Sequence, residues 1–390
     1  MRTLGALLAV VLSSTVLAAD ASLTAPTSRS TADAIRLNND GAKLAQEGKF
    51  ADAETNYRKA LEIWTSVADR QITARDRAHT MENLGSLLRD VGRYREAEQI
   101  LKDALAQLEE ATGKESVDDG EALENLAALY RVKGDGDLAE QCALRADHLL
   151  LDRERSDNRI LLAAIYIDKR RFAEARTILE PAREGATGMV AFTIYADLAT
   201  AALGESQFSE AEEFAKKALE FTDSNPKPNS VGVAAVWNNL GQIYRFQKRY
   251  SEADQAYRKA IELWTAARGA AHPYVASGLL NFAAFEHERG RDSAAEQLYR
   301  RAAEIFEKTA GKGDLRALIA RNELGDVLRA EKRYVAAEQL INGTLPALRE
   351  LLPANDPRMV RALANYAQLL SDTKRQKQAA AVWKQIKGII

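Results

Sequence analysis

Small and apolar positions recur along this chain with a long, nearly fixed period. An aromatic residue followed three positions later by alanine appears as Phe50–Ala53, Tyr94–Ala97, Phe172–Ala175, Phe208–Ala211, Tyr250–Ala253 and Tyr334–Ala337, and the alanine column continues through Ala139, Ala295 and Ala379. Successive alanines are 44, 42, 36, 36, 42, 42, 42 and 42 residues apart. Twelve positions before each one stands Gly41, Gly85, Ala127, Ala163, Ala199, Gly241, Ala283, Gly325 or Ala367, so this second column admits only the two smallest residues. Helices that cross at close range need little side-chain volume at the crossing point. Each period therefore predicts a hairpin in which helix A carries the first column and helix B the alanines, in contact through them. One hairpin cannot bury its apolar faces alone, so the hairpins must stack.

Composition agrees. At 390 residues the chain exceeds what one compact core supports, and 46% hydrophobic and 28% charged residues with only 8 prolines predict an all-α protein with almost no strand. The formal net charge of -2 disfavours nucleic acid as the main partner, because phosphate neutralisation needs a concentrated basic surface. Residues 1–19 combine an early Arg2, an apolar run and small residues at the end, the layout of a cleavable signal peptide. They predict an exported protein, periplasmic or extracellular, with no stable membrane span after cleavage. Residues 20–31 read as a flexible leader and 32–390 as the repeat region. Cys142 is the single cysteine, so no internal disulfide is available and packing must supply the stability.

Trp237, Leu240, Gly241 and Tyr244, followed by Ala253, Tyr257 and Ala260, resemble the tetratricopeptide repeat pattern. The 42-residue period is longer than the usual repeat, and the linker phrase "ARGAAHPYVASGLLNFA" is similar to that of the kinesin light chain type. The 36-residue repeats four and five look like the ordinary short form. The resemblance covers residues 32–390 and implies a right-handed α-solenoid of about nine hairpins, with helix A lining a concave face that contacts an extended peptide.

Two columns on helix A are candidates for that contact. Two positions before the small column stand Asn39, Asn83, Asn125, Asn239, Asn281 and Asn365. Asparagine is a poor helix former, so its recurrence asks for a reason. An amide that donates and accepts suits a peptide backbone, and it equally suits a neighbouring helix; both roles stay open. Four positions after the small column stand Arg89, Arg131, Arg245, His287 and Arg329, a basic row that would suit an acidic peptide or protein, or else pair with nearby carboxylates. Asn238 and Gln242 join these candidates. Ile160, Leu161, Ile167, Ala196 and Leu203 at the corresponding sites of repeats four and five predict an apolar middle to the groove.

Chemistry is otherwise sparse. His79, His148, His272 and His287 show no metal-ligand spacing, and His272 sits in the linker phrase before Pro273, where the resemblance implies a structural turn. "GKES" at Gly113 lacks the context of a phosphate loop and "KGDGDLAEQ" lacks the ladder of a calcium loop. Asn342-Gly343-Thr344 matches a glycosylation acceptor inside a helix B. No catalytic residue, metal or cofactor is expected. The reading is a non-enzymatic interaction scaffold; the alternatives are an envelope polysaccharide assembly factor and an enzyme with an unrecognised site. The last helix is expected to run to the end of the chain, where Trp383, Ile386, Ile389 and Ile390 form an edge suited to homo-oligomer formation unless Lys374, Lys377, Lys384 and Lys387 solubilise it.

Overall fold

A computed structural model gives the fold and describes residues 29–67, 70–113, 115–150, 152–222 and 230–389. The expected signal peptide and residues 20–28 of the expected leader lie outside the described residues, and helix α1 opens at Arg29. Among the described residues the chain forms eighteen helices and no strand. None of these helices is long and apolar enough to cross a membrane.

The helices fall into two compact units that meet in sequence between Glu205 and Ser206. The first holds α1 (Arg29–Gln46), α2 (Phe50–Ser66), α3 (Arg70–Asp90), α4 (Tyr94–Thr112), α5 (Val117–Lys133), α6 (Gly136–Leu149), α7 (Asp152–Asp168), α8 (Phe172–Ala182) and α9 (Gly188–Gly204). The second holds α10 (Phe208–Glu220), α11 (Ser230–Phe246), α12 (Tyr250–Arg268), α13 (Pro273–Glu288), α14 (Asp292–Ala310), α15 (Leu315–Ala330), α16 (Tyr334–Leu351), α17 (Pro357–Asp372) and α18 (Gln376–Lys387). Odd numbers are the A helices and even numbers the B helices. Within each unit a B helix packs on its own A helix and on the next one, and successive A helices also touch, so each unit carries one continuous A-helix face.

The two small columns act as expected, with one refinement. All nine alanines of the B-helix column are buried. The small residue on helix A, however, mainly makes room for the side chain four positions beyond that alanine. A Cβ added at Gly241 would lie 2.7 Å from Tyr257 Cδ1, and one at Gly85 would lie 2.6 Å from Leu101 Cδ2. Neither separation is tolerable for carbon atoms, so the column stays small.

Every A-to-B turn uses the same backbone device. Five positions before each alanine, Gly48, Gly92, Gly134, Arg170, Ser206, Lys248, Gly290, Lys332 and Lys374 all have positive φ. Around Gly48 the Lys49 N–H donates to the Leu44 carbonyl at 2.9 Å and the Gly48 N–H to Ala45 at 3.0 Å, the paired bonds of a Schellman motif. The same bonds recur around Lys248, from Arg249 to Tyr244 and from Lys248 to Arg245. The left-handed residue lets the A helix stop and the B helix fold back after a few residues.

Entry into four of the A helices relies on side-chain caps instead. Ser116 and Asp119 form a capping box at α5, and Asp314 and Asp356 accept from backbone N–H groups at the starts of α15 and α17. His272 caps α13, its Nδ1 accepting from the Tyr274 N–H at 3.2 Å with Pro273 in the first turn. The His-Pro phrase is thus a helix start.

Candidate functional site

Periodicity of about 3.6 puts the positions six, three and two before the small column, and one, four and five after it, along one side of each A helix. The asparagine column lies here, and its amides are engaged between repeats. Asn281 Nδ2 donates to Asn238 Oδ1 at 3.0 Å, Asn365 Nδ2 to Asn322 Oδ1 at 2.9 Å, and Asn83 Nδ2 to Asn38 Oδ1 at 3.0 Å. In each case the residue two before the small column donates to the residue three before it on the preceding A helix. Asn125 accepts from Ser86 Oγ at 3.0 Å and donates to the Glu121 carbonyl at 3.2 Å. Asn238, Asn239, Asn281, Asn322 and Asn365 are buried, while Asn39, on the first described A helix, is exposed. Of the two roles left open, the geometry gives these buried amides to the stack.

The basic row is matched by carboxylates. Arg131 Nε lies 2.7 Å from Asp168, Arg329 Nη1 lies 2.7 Å from Asp372, and Arg245 Nε donates to Glu288 at 2.6 Å. Each partner is the residue five after the small column on the next A helix. Where that position is apolar, as at Val132 and Ala330, the row finds another acid: Arg89 takes Asp90 at 3.0 Å, and His287 takes Asp292 at 2.5 Å and Asp326 at 3.3 Å. The hydrogen bond to Asp326 raises the His287 pKa above the ordinary imidazole value, against the opposing effect of burial. A second ladder joins the B helices, with Arg93 to Glu54, Arg171 to Glu140, Arg249 to Glu212, Arg333 to Glu296 and Arg375 to Glu338, all at 2.5–2.8 Å. Each arginine of the row thus has a carboxylate partner, the second of the two roles left open for it. Within the "VWNNLGQIYRF" stretch, Asn238 and Asn239 are buried and Arg245 is paired, and Gln242 is half-buried.

What the sequence reading missed on this face is acidic. The A-face registers of α3, α5, α7 and α9 carry Glu82, Glu121, Glu124, Asp157 and Asp197, beyond the Asp90 and Asp168 that pair with arginines. Asp197 occupies the asparagine register of α9 and is 1% exposed, and neither carboxylate oxygen has a hydrogen-bond partner. Burial lifts its pKa to about 7, opposed by the Arg131 charge and reinforced by Asp168. Burial also lifts Glu124 to about 8, with Asp157 and Glu121 adding to the effect. In the second unit Glu323 takes the same register in α15; burial raises it while Arg361, 3.2 Å away, opposes the shift. Asp197 and Glu323 were visible in sequence only as breaks in the asparagine column.

Profiles of the tetratricopeptide repeat match residues 37–110, 76–146 and 232–308, and a second such profile matches 287–349. Together with the helical hairpins, that decides the family. The chain belongs to the tetratricopeptide repeat proteins. Among solved structures, the apo form of the quorum sensor NprR from B. thuringiensis is 13% identical, with a TM-score of 0.65 over 92% of this chain and 99% of that one. A Rap protein complexed with competence and sporulation factor is 14% identical, with a TM-score of 0.56 over 90% of this chain and 99% of that one. A putative kinesin light chain with nearly identical repeats from Podosopora anserina is 16% identical, with a TM-score of 0.41 over 50% of this chain and 92% of that one. No curated protein sequence matches.

Other predicted features of this tetratricopeptide repeat chain take more ordinary places. Of the residues expected to make an apolar groove, Leu161, Ile167 and Ala196 are buried, and Ile160 and Leu203 are half-buried. Ile386 is buried, Ile389 packs against the core of the second unit, and Trp383 is 37% exposed. Ile390 lies outside the described residues. Thr344 of the glycosylation-type triplet is buried and hydrogen-bonded within α16. Cys142 is half-buried, and burial raises its thiol pKa.

Proposed function

We propose that this chain is a non-enzymatic, exported interaction scaffold that takes an extended peptide or protein segment on its A-helix face, and that in the first unit the segment is basic. One observation carries the choice of sign. The A-face registers of α3 to α9 gather Glu82, Glu121, Glu124, Asp157 and Asp197, more carboxylates than cations, while the arginine row has carboxylates of its own close by. A ligand bearing lysine or arginine would relieve that excess at close range. The membership in a repeat family whose stacked hairpins expose one continuous helix layer supports a binding role, as does the likeness in fold to a Rap protein solved in complex with competence and sporulation factor. Export rests on the layout of residues 1–19, and N-terminal sequencing of the secreted or periplasmic protein checks it.

Isothermal titration of the full chain against matched libraries of Lys/Arg-rich and Asp/Glu-rich extended peptides tests the partner. Basic peptides are expected to bind, to weaken with added salt, and to lose about tenfold in affinity on Glu124→Gln combined with Asp157→Asn. Preferential binding of the acidic library, abolished by Arg131→Glu and Arg245→Glu, would restore the opposite sign and overturn this reading.

A further inference from the structure

The sequence places His79 and Glu82 one turn apart on α3 and Glu121 on α5, at the register that His79 occupies on its own helix. Read along the chain, His79 has no ligand set, because its second carboxylate lies 42 residues away. Contact between α3 and α5 brings the three together. His79 Nδ1 lies 3.1 Å from Glu82 Oε2 and 3.7 Å from Glu121 Oε2, and one ligand atom from each residue falls within 4.8 Å of the other two. Ligands about 2.0–2.2 Å from a tetrahedral zinc ion stand roughly 3.3–3.6 Å from one another, so the spacing needs only small rotations to close on an ion.

A second observation is independent of that spacing. Glu82 is 5% exposed, and its Oε1 has no hydrogen-bond partner. A buried carboxylate with one oxygen unsatisfied is costly unless something outside the chain completes it. The His79 ring satisfies Oε2 alone. Further negative charge surrounds the trio, with Asp118 at the start of α5 held by Arg75 at 2.5 Å and Glu124 one turn beyond Glu121. A cation bound here would satisfy Oε1 and offset the carboxylates gathered around it.

We propose that His79, Glu82 and Glu121 form a binding site for a single divalent transition-metal ion of the zinc class. Imidazole with carboxylates favours zinc, cobalt or manganese over calcium and magnesium, which prefer oxygen alone. Three protein ligands leave a position for water or for a group from a partner. The site does not depend on the proposed peptide partner: zinc binding without any peptide supports it, and failure of the peptide titration leaves it standing.

The test is titration of the chelator-stripped full chain with zinc chloride, followed by cobalt(II) titration read by visible absorption. One ion per chain is expected, with affinity falling about tenfold or more in His79→Ala, Glu82→Gln and Glu121→Gln. His287→Ala, which removes the other carboxylate-paired imidazole, is expected to bind as the parent does. Glu82→Gln keeps the side-chain shape, and circular dichroism of each variant separates loss of the site from loss of the fold. The absence of both zinc heat and a cobalt band overturns the assignment. So does binding that survives His79→Ala and Glu82→Gln, or that is lost equally in His287→Ala.

Discussion

The two units are built from one hairpin and differ in what they place on its A face. In the second unit that face is made of paired amides and matched charges: Asn281 on Asn238, Asn365 on Asn322, Arg245 on Glu288, Arg329 on Asp372. In the first unit the amide ladder starts with Asn83 on Asn38, thins at Asn125, and gives way to Leu161 and then Asp197 at the same register, while carboxylates accumulate. The hairpin contacts do not change between units, since Gly85 meets Leu101 as Gly241 meets Tyr257. Packing fixes two registers of the repeat in every copy. The registers between adjacent A helices answer only to their neighbours, and there the two halves have diverged, one toward self-satisfaction and the other toward stored negative charge.

Asp197 offers the strongest way to break that contrast. Its folded-state pKa of about 7 stands above the ordinary carboxylate value of 3.8, so the unfolded chain gives up the proton first as pH rises. The folded state is therefore increasingly opposed from about pH 4 to about pH 7, and the full cost is present above that range. A rise of that size corresponds to roughly 4 kcal/mol. Asp197→Asn removes the titration. The stability of the variant relative to the parent should rise by about 3–4 kcal/mol between about pH 4 and about pH 8 in urea melts. A difference that stays flat with pH would mean that Asp197 is solvated or paired and that the first unit stores no such charge.

The amide ladder gives the next largest effect, and it should differ between the units. Asn281→Ala strands the buried Asn238 carbonyl oxygen and is expected to cost about 1–3 kcal/mol. Asn125→Ala, in a half-buried position where the Ser86 hydroxyl can turn to water, should cost under about 1 kcal/mol. Replacing both Asn238 and Asn281 by leucine removes both partners at once and should recover much of the single-variant loss, as a double-mutant cycle would show. Equal costs for the two single variants would erase the distinction between a closed and an open A face.

How much of this was legible follows from where each partner sits. Side-chain volume belongs to a residue alone, so the alanine and small columns, and with them nine hairpins, could be counted directly. The asparagine and arginine columns were equally visible, yet their roles were not, because Asn238 meets Asn281 and Arg245 meets Glu288 across 43 positions. A reading that asks what one column does cannot see that the answer lies in a different column of the next repeat. Asp197 was hidden for another reason: within "IYADLATAAL" a single acid reads as an interruption, and only the surrounding A helices make it a buried charge. His79 likewise acquires Glu121 only through the stacking of α3 on α5.

The turns give the smallest and most local test, and here too the units differ. The first unit uses Gly48, Gly92 and Gly134 at the left-handed position and Arg170 in its last turn, whereas the second unit uses Ser206, Lys248, Lys332 and Lys374 beside a single glycine, Gly290. A lysine held at φ near 61–62° carries a steric cost that glycine avoids, partly offset by the greater freedom glycine gives the unfolded chain. Lys332→Gly should therefore stabilise the second unit by about 0.5–1 kcal/mol, and Gly92→Ala should destabilise the first by a similar amount. The Lys332 side chain is exposed and its backbone bond to Arg329 survives the change, so no lost contact competes with the backbone effect. Thermal melts of Lys248→Gly, Lys332→Gly and the double variant should show near-additive gains, because the two turns lie two repeats apart. If Lys332→Gly instead lowers the midpoint, unfolded-state entropy outweighs the left-handed strain, and the glycine-rich turns of the first unit gain nothing from their composition.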